Sequence, residues 1–146
     1  MPSPEQVQAA VDAYVAAYME NDRDAFLDAF ATDGVIVDPV GTPPHVGRDA
    51  RGAFWDTVHQ MTERITFDVK DVVVCGSEAA MVFRIHAGTA DAGVVIDAVD
   101  IFEVDDDGED LLHAGVLGHE SGHARRLRPP GSLDQVVNST GEGPRR

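Results

Sequence analysis

Val94-Val95-Ile96-Asp97-Ala98-Val99-Asp100-Ile101-Phe102-Glu103-Val104 changes character at every second residue. In an extended chain successive side chains point to opposite faces. Val94, Ile96, Ala98, Asp100, Phe102 and Val104 therefore share one face. Val95, Asp97, Val99, Ile101 and Glu103 share the other. The first face is apolar except at Asp100. Burial disfavours a carboxylate, so an aspartate alone on such a face is expected to hold its proton at neutral pH. The same period surrounds this stretch. Ile65-Thr66-Phe67-Asp68-Val69-Lys70 alternates, and Val72-Val73-Val74 continues it. Cys75 to Glu78 reads as a turn, Ala80 to Ala87 as a strand, and Ala90 to Gly93 as a second turn. Asp105 to Gly108 is a third turn, and Leu111 to Leu117 a last strand.

Upstream of residue 63 the period is helical. Ser3 and Gln6 have capping-box spacing and Pro4 suits a first helical position. Val7, Val11, Tyr14, Val15 and Tyr18 then predict an amphipathic helix to about Glu20. Asn21-Asp22 breaks it and caps a second helix over 23–31, with Phe26, Leu27 and Phe30 as its buried stripe. Asp33-Gly34 reads as a turn and Val35-Ile36-Val37 as a short strand. Pro39 and Pro43-Pro44 oppose regular structure until Gly47. Residues 48–60 read as a third helix. Helices followed by hairpin-linked strands give an α+β fold. Three N-terminal helices are expected to cover one face of a curved antiparallel sheet. From Pro129 onward Pro, Gly, Ser and Asn dominate. The expectation is a single domain over 1–124 and a disordered tail over 125–146.

Charge narrows the partners. The 146 residues carry 26 acids against 11 bases, a formal net charge of -15. A phosphate-coating surface needs the opposite sign, so a nucleic-acid partner is not expected. Five of the bases, Arg125, Arg126, Arg128, Arg145 and Arg146, lie beyond residue 124. A single cysteine, Cys75, excludes an internal disulfide and a multi-thiolate metal site. No apolar run approaches the roughly 20 residues of a membrane span. The N-terminus lacks the basic and apolar regions of a secretory signal, so a cytoplasmic protein is expected.

Most candidate motifs are weak. Asp105-Asp106-Asp107 lacks calcium-loop spacing and reads as a solvated turn. His119-Glu120-Ser121-Gly122-His123 spells H-E-x-x-H, but that site needs a helix, and Gly115, Gly118 and Gly122 oppose one. No glycine-rich phosphate loop and no nucleophile elbow occurs, so no cofactor and no metal is expected. Three polar groups among apolar neighbours remain. These are Asp100, Tyr14 on the helix stripe, and Asp38 at the end of the strand Val35–Val37.

These residues resemble the ketosteroid isomerases of the nuclear-transport-factor-2-like, or SnoaL-like, superfamily. The resemblance is carried by Phe30-Ala31-Thr32-Asp33-Gly34-Val35-Ile36-Val37-Asp38-Pro39-Val40-Gly41-Thr42-Pro43-Pro44, then Gly47-Arg48-Asp49 and Ala53-Phe54-Trp55. It extends over about residues 4–110. It implies a cone-shaped sheet under three helices, a cystatin-like α+β barrel, and a homodimer. It implies that Asp38 is a catalytic base, with Tyr14 and a protonated Asp100 as an oxyanion hole. The implied reaction moves a double bond from a 3-keto-5-ene to a conjugated 3-keto-4-ene. The implied partner is a small apolar ketosteroid-like substrate, lined by Trp55, Phe30, Phe54, Phe83, Phe102 and Val116. The same fold also serves SnoaL-like cyclases, polyether epoxide hydrolases and non-catalytic lipid binders. For epoxide opening, Glu63 is the expected proton donor beside Asp38.

The sequence departs from that family in two places. Where the family has further tyrosines behind the oxyanion tyrosine, this chain has Phe30 and Trp55; Trp55 retains an indole N–H, Phe30 no donor at all. Where the family's last strand reads close to Arg-Ala-Tyr-Trp, this chain has Ala114-Gly115-Val116-Leu117-Gly118-His119. The codons GCG GGC GTA CTG GGA CAT encode those six residues. Read from their second base they give Arg-Ala-Tyr-Trp-Asp. An out-of-frame ending over 111–146 is the resulting hypothesis, and the gene's codons at these positions test it.

Overall fold

A computed structural model of the chain describes residues 1–89, 92–117 and 125–126; the side chains of 110–112, 116–117 and 125–126 stand outside that description. Helix α1 spans Pro4–Glu20 and α2 spans Arg23–Asp28. Strand β1 spans Phe30–Val37, β2 His45–Val46, and helix α3 Arg48–Gln60. Strands β3 (Arg64–Cys75), β4 (Glu78–Gly88), β5 (Gly93–Val104), β6 (Asp110–Leu117) and β7 (Arg125–Arg126) follow.

Local chemistry sets the helix ends. The Gln6 N–H donates to Ser3 Oγ at 3.2 Å, and the Ser3 N–H donates to Gln6 Oε1 at 2.9 Å. Asn21 ends α1 in the left-handed region at φ 55°, which asparagine tolerates better than most residues. Asp22 then caps α2 by accepting the Ala25 N–H at 3.0 Å.

The strands form one curved sheet in the order β2-β1-β6-β5-β4-β3. β3, β4, β5 and β6 pair antiparallel in sequence. β1 joins at the far side, parallel to β6. The sheet is therefore mixed rather than wholly antiparallel, and it stays open, with β2 and β3 at its two edges. A chain entering from α2 cannot make a hairpin with β6, which lies far away in sequence, so either direction is available to that pairing.

The second helix ends three residues earlier than its apolar stripe suggests, and β1 begins at Phe30. Asp33-Gly34 is consequently not a free turn. It lies within β1, where the pairing with β6 shifts register between Phe30 and Val35. The prolines leave room for the two-residue β2, whose His45 and Val46 pair with Ile36 and Val35. Arg125 and Arg126, expected to open a tail, pair as β7 with Val95 and Val94. The 1–124 boundary itself, the H-E-x-x-H segment and residues 127–146 lie outside the described residues.

One face of the sheet holds the core. Ala98, Asp100, Phe102 and Val104 are buried on β5, and Ala79, Met81 and Phe83 on β4. α1 lies across β3, β4 and β5, while α2 and α3 cover β1. Tyr14, Tyr18, Phe26, Trp55 and Phe67 fill the space between helices and sheet. Fully burying each large apolar side chain contributes about 1.5–3 kcal/mol. No helix of the described residues is long and apolar enough to cross a membrane.

Candidate active site

Strand register brings the polar groups together. On β5 and β6, Asp100 is paired with Gly115 and Phe102 with His113. Residues opposite one another or two apart share a face, so Asp100, Phe102, His113 and Gly115 all point inward. On β1, Val37 pairs with Ala114, which sets Asp38 beside Gly115. The loop after Asp38 is tied to the same strand, because the Val40 N–H donates to the Gly115 carbonyl at 2.8 Å. Gly115 allows this approach. A Cβ built there would stand 2.6 Å from Asp38 Cγ.

Tyr14 reaches the cluster from α1. Its side chain is 3% exposed, Asp100 is 3% exposed, and His113 is fully buried. His113 Nε2 lies 3.2 Å from the Tyr14 hydroxyl oxygen and 3.2 Å from Asp100 Oδ2. The Tyr14 ring stacks on the His113 imidazole with centroids 4.5 Å apart. Asp100 is thus buried as its alternation requires, but it is not alone on its face. Its neighbour is an imidazole from the adjacent strand. Asp100, His113 and Tyr14 form one buried hydrogen-bonding cluster.

In the sequence His113 belongs, with His119 and His123, to a cluster of histidines near the end that gives only a weak signal. Its signal lies in register, not in local spacing. Only pairing β6 against β5 puts it diagonal to Asp100. Tyr18 was also read as part of the helix stripe and no more. Its ring packs 5.2 Å from Tyr14 and 4.8 Å from Trp55.

Burial governs the proton affinities. Desolvation pushes the Tyr14 hydroxyl well above its ordinary value, and Tyr18, Asp100 and Asp38 push the same way. Tyr18 is raised for the same first reason, partly offset by its interaction with Tyr14. Asp38 is half-buried, and burial raises its carboxyl above the usual range. Asp100 adds to the rise, while His113 and His45 oppose it. Asp38 therefore binds a proton more readily than an exposed aspartate, which suits a group that must take one and give it back.

The expected pocket residues lie at different distances from the polar cluster. Phe102 and Phe30 touch the polar cluster, at 4.9 Å and 6.4 Å from the His113 ring centroid. Phe83 packs on Phe67, which in turn stacks on Tyr14. Trp55 is buried one layer further back, against Tyr18, Phe26 and His59. Phe54 is half-buried beside His45, with ring centroids 5.1 Å apart. The Val116 side chain lies outside the described residues. Glu63 is exposed just before β3, with its N–H donating to the Gly88 carbonyl at 3.1 Å.

An apolar floor with a proton-binding carboxylate, a phenol, a second carboxyl and an imidazole can hold a small hydrophobic molecule and move protons on it. Comparison with known proteins agrees in kind. A steroid Delta-isomerase of Nocardioides simplex is 27% identical over 104 residues, covering 71% of this chain and 83% of that protein. The epoxide hydrolase/cyclase-like enzyme SalBIII, of pyran ring formation in polyether salinomycin, superposes with a TM-score of 0.74 at 22% identity. That match covers 82% of this chain and 95% of SalBIII. RV0760c of Mycobacterium tuberculosis superposes with a TM-score of 0.70 at 22% identity, covering 79% of this chain and 92% of the other. These two structures share the fold. The model of the SnoaL-like domain matches residues 11–109, a span holding every described part of the site except β6, and the chain belongs to that family.

Proposed function

We propose that this chain is a cofactor-independent steroid Δ5-isomerase. The observation that carries the reading is Asp38, a half-buried carboxyl of raised proton affinity, set across Gly115 from buried Asp100 and Tyr14. The Asp38 carboxylate removes a proton from the carbon between the ketone and the alkene of a 3-keto-5-ene steroid. Negative charge then grows on the ketone oxygen. Tyr14 and Asp100 donate hydrogen bonds to it in a site from which water is excluded. Asp38 returns the proton at the far end of the dienolate, and the double bond ends in conjugation. No atom is gained or lost, so the reaction requires no redox partner. Phe30 and Phe102 supply apolar surface for a flat neutral ring system.

The N. simplex relative supports this reading by its name and its coverage of this chain. We place the activity in steroid or lipid metabolism, in a cytoplasmic homodimer. The outer face of the sheet supports the dimer: Val73 is 56% exposed and Val82 42% exposed on that one face.

The test is direct. The purified chain is mixed with 5-androstene-3,17-dione, and the ultraviolet absorbance of the conjugated enone is followed. Growth above the spontaneous rate, lost in Asp38→Asn, is the expected result. A folded chain that binds the steroid without turnover would instead be a lipid binder.

Epoxide opening is the second reading, favoured by the electrostatic coupling of Asp38 with Asp100 and by the fold shared with SalBIII. The exposure of Glu63 removes the donor first expected for it, and Asp100 takes that role. Turnover of a polyether-type epoxide, with none of the ketosteroid, would select it.

A further inference from the structure

His113 Nε2 stands at the point where the Tyr14 hydroxyl and Asp100 Oδ2 converge, 3.2 Å from each. One ring nitrogen has either a hydrogen or a lone pair, never both. With a hydrogen, Nε2 donates, and an ionised Asp100 is the stronger acceptor of the two. Tyr14 is then free to turn its hydrogen elsewhere. With a lone pair, Nε2 accepts from either Tyr14 or a protonated Asp100, and that donor is withdrawn from any ligand. In both cases a ligand oxygen receives at most one hydrogen bond from Tyr14 and Asp100. It receives two when Tyr14, Asp100 and Nε2 all carry hydrogens.

We infer that His113 is a positioning residue of this site, and that binding of an oxyanion is coupled to uptake of a proton by the His113–Asp100 pair. The inference rests on the proposed oxyanion hole of Tyr14 and Asp100. The ligand class is an enolate or phenolate oxygen on an apolar ring. The groups that face His113 agree with it. Tyr14 of α1, Asp100 of β5 and Asp38 after β1 are titratable groups that face it, with Phe30 and Phe102 at its sides. Arg51 of α3 lies behind Phe30, 5.1 Å from the ring centroid. An anion arriving there meets Asp38 and Asp100 in a low-dielectric site. Protonation of the pair removes the Asp100 part of that repulsion and restores both donors.

Dinitrophenolate is the probe. It is ionised throughout the neutral range, so it brings no proton of its own. Affinity is measured against pH, and heats of binding are compared in buffers of different ionisation enthalpy. The wild type is expected to take up a proton and to lose about tenfold in affinity per pH unit where the pair gives it up. His113→Phe keeps a ring of similar shape and leaves Asp100 without a base. It should flatten the profile and bind at alkaline pH at least as tightly as wild type. His113→Gln should flatten it also, and guards against a folding defect in the first variant. Binding without proton exchange in the wild type overturns the inference and leaves the oxyanion hole standing. An unchanged slope in both His113 variants overturns it, as does a slope that disappears in Asp38→Asn. No binding by the folded wild type overturns the hole itself.

Discussion

Gly115 and Asp38 are in contact across two strands, so close that any side chain at Gly115 would overlap the Asp38 carboxyl. The nearest atoms are Cγ and Oδ1, each 2.6 Å from the position of an added Cβ. The Val40 N–H holds the following loop to the Gly115 carbonyl, so the loop is not free to retreat. In Gly115→Ala the carboxyl must swing away. A displacement of about 1 Å from the reacting carbon costs on the order of 100-fold in rate. Turnover should fall by that factor with KM nearly unchanged and circular dichroism preserved. Unchanged turnover would show that Asp38 is not the group this glycine protects. Alanine is also what the out-of-frame reading of β6 would place here. The glycine present has a defined packing role in the frame as it stands.

Asp38 should weaken the fold while serving the reaction. Its folded carboxyl binds a proton more tightly than the unfolded value of 3.8, chiefly through burial. Between those two values the unfolded chain holds fewer protons than the folded one. Stability therefore falls as pH rises through that window, and the loss persists above it. Asp38→Asn has no charge to desolvate. Its melting temperature at neutral pH should exceed that of wild type. The gain should vanish in acid, where both proteins are neutral at this position. The proposed isomerase activity should be lost at every pH. A variant less stable than wild type at neutral pH would contradict the desolvation argument.

How much of this was legible depended on whether the determining contacts were local. The alternation of β5 puts Val94, Ile96, Ala98, Asp100, Phe102 and Val104 on one face; the last four are buried, while Ile96 is half-buried and Val94 is 38% exposed. Asp97, on the opposite face, is exposed and pairs with Arg84 at 2.7 Å. The Ser3–Gln6 capping box and the bounds of α3 were equally local. Phe30 was harder, because apolar spacing after Phe26 and Leu27 suits a helix as well as a strand. Its assignment was settled by β6, whose partner strand no local pattern specifies. His113 was hidden for the same reason. A histidine between Leu112 and Ala114 carries no signal until register places it against Asp100.

The two tyrosines of α1 should separate by role. Tyr14 lies against His113 and Asp100, whereas Tyr18 packs between Tyr14 and Trp55. Tyr14→Phe removes the hydroxyl proposed to donate to the developing oxyanion, and a single such donor is worth about 100- to 1000-fold in kcat. Tyr18→Phe keeps the packing and removes a hydroxyl one step away. It should cost about tenfold or less, on the scale of a single modest hydrogen bond. Steady-state kinetics on both variants decide it. Equal losses would mean that the hydroxyls act as one unit, and a larger loss at Tyr18 would misplace the oxyanion hole.

Arg51 should be a stability residue whose loss reaches the site through β1. It is 1% exposed on α3. Its Nη1 donates to the Gly34 carbonyl, and its guanidinium lies 5.1 Å from the Phe30 ring centroid. Both partners belong to the part of β1 where the pairing with β6 shifts register. The planar guanidinium can satisfy a carbonyl while lying over a ring, which an ammonium does poorly. Arg51→Met keeps the stem but leaves the buried Gly34 carbonyl only the long 3.5 Å hydrogen bond from the Gly47 N–H, and should destabilise by about 2–4 kcal/mol in urea unfolding. Arg51→Lys should lose at least half as much. Asp38 follows Gly34 by four residues, just past the end of β1, so turnover should fall in both variants even where they remain folded. A near-neutral Arg51→Lys would show that charge alone, without the planar fork, holds α3 to β1.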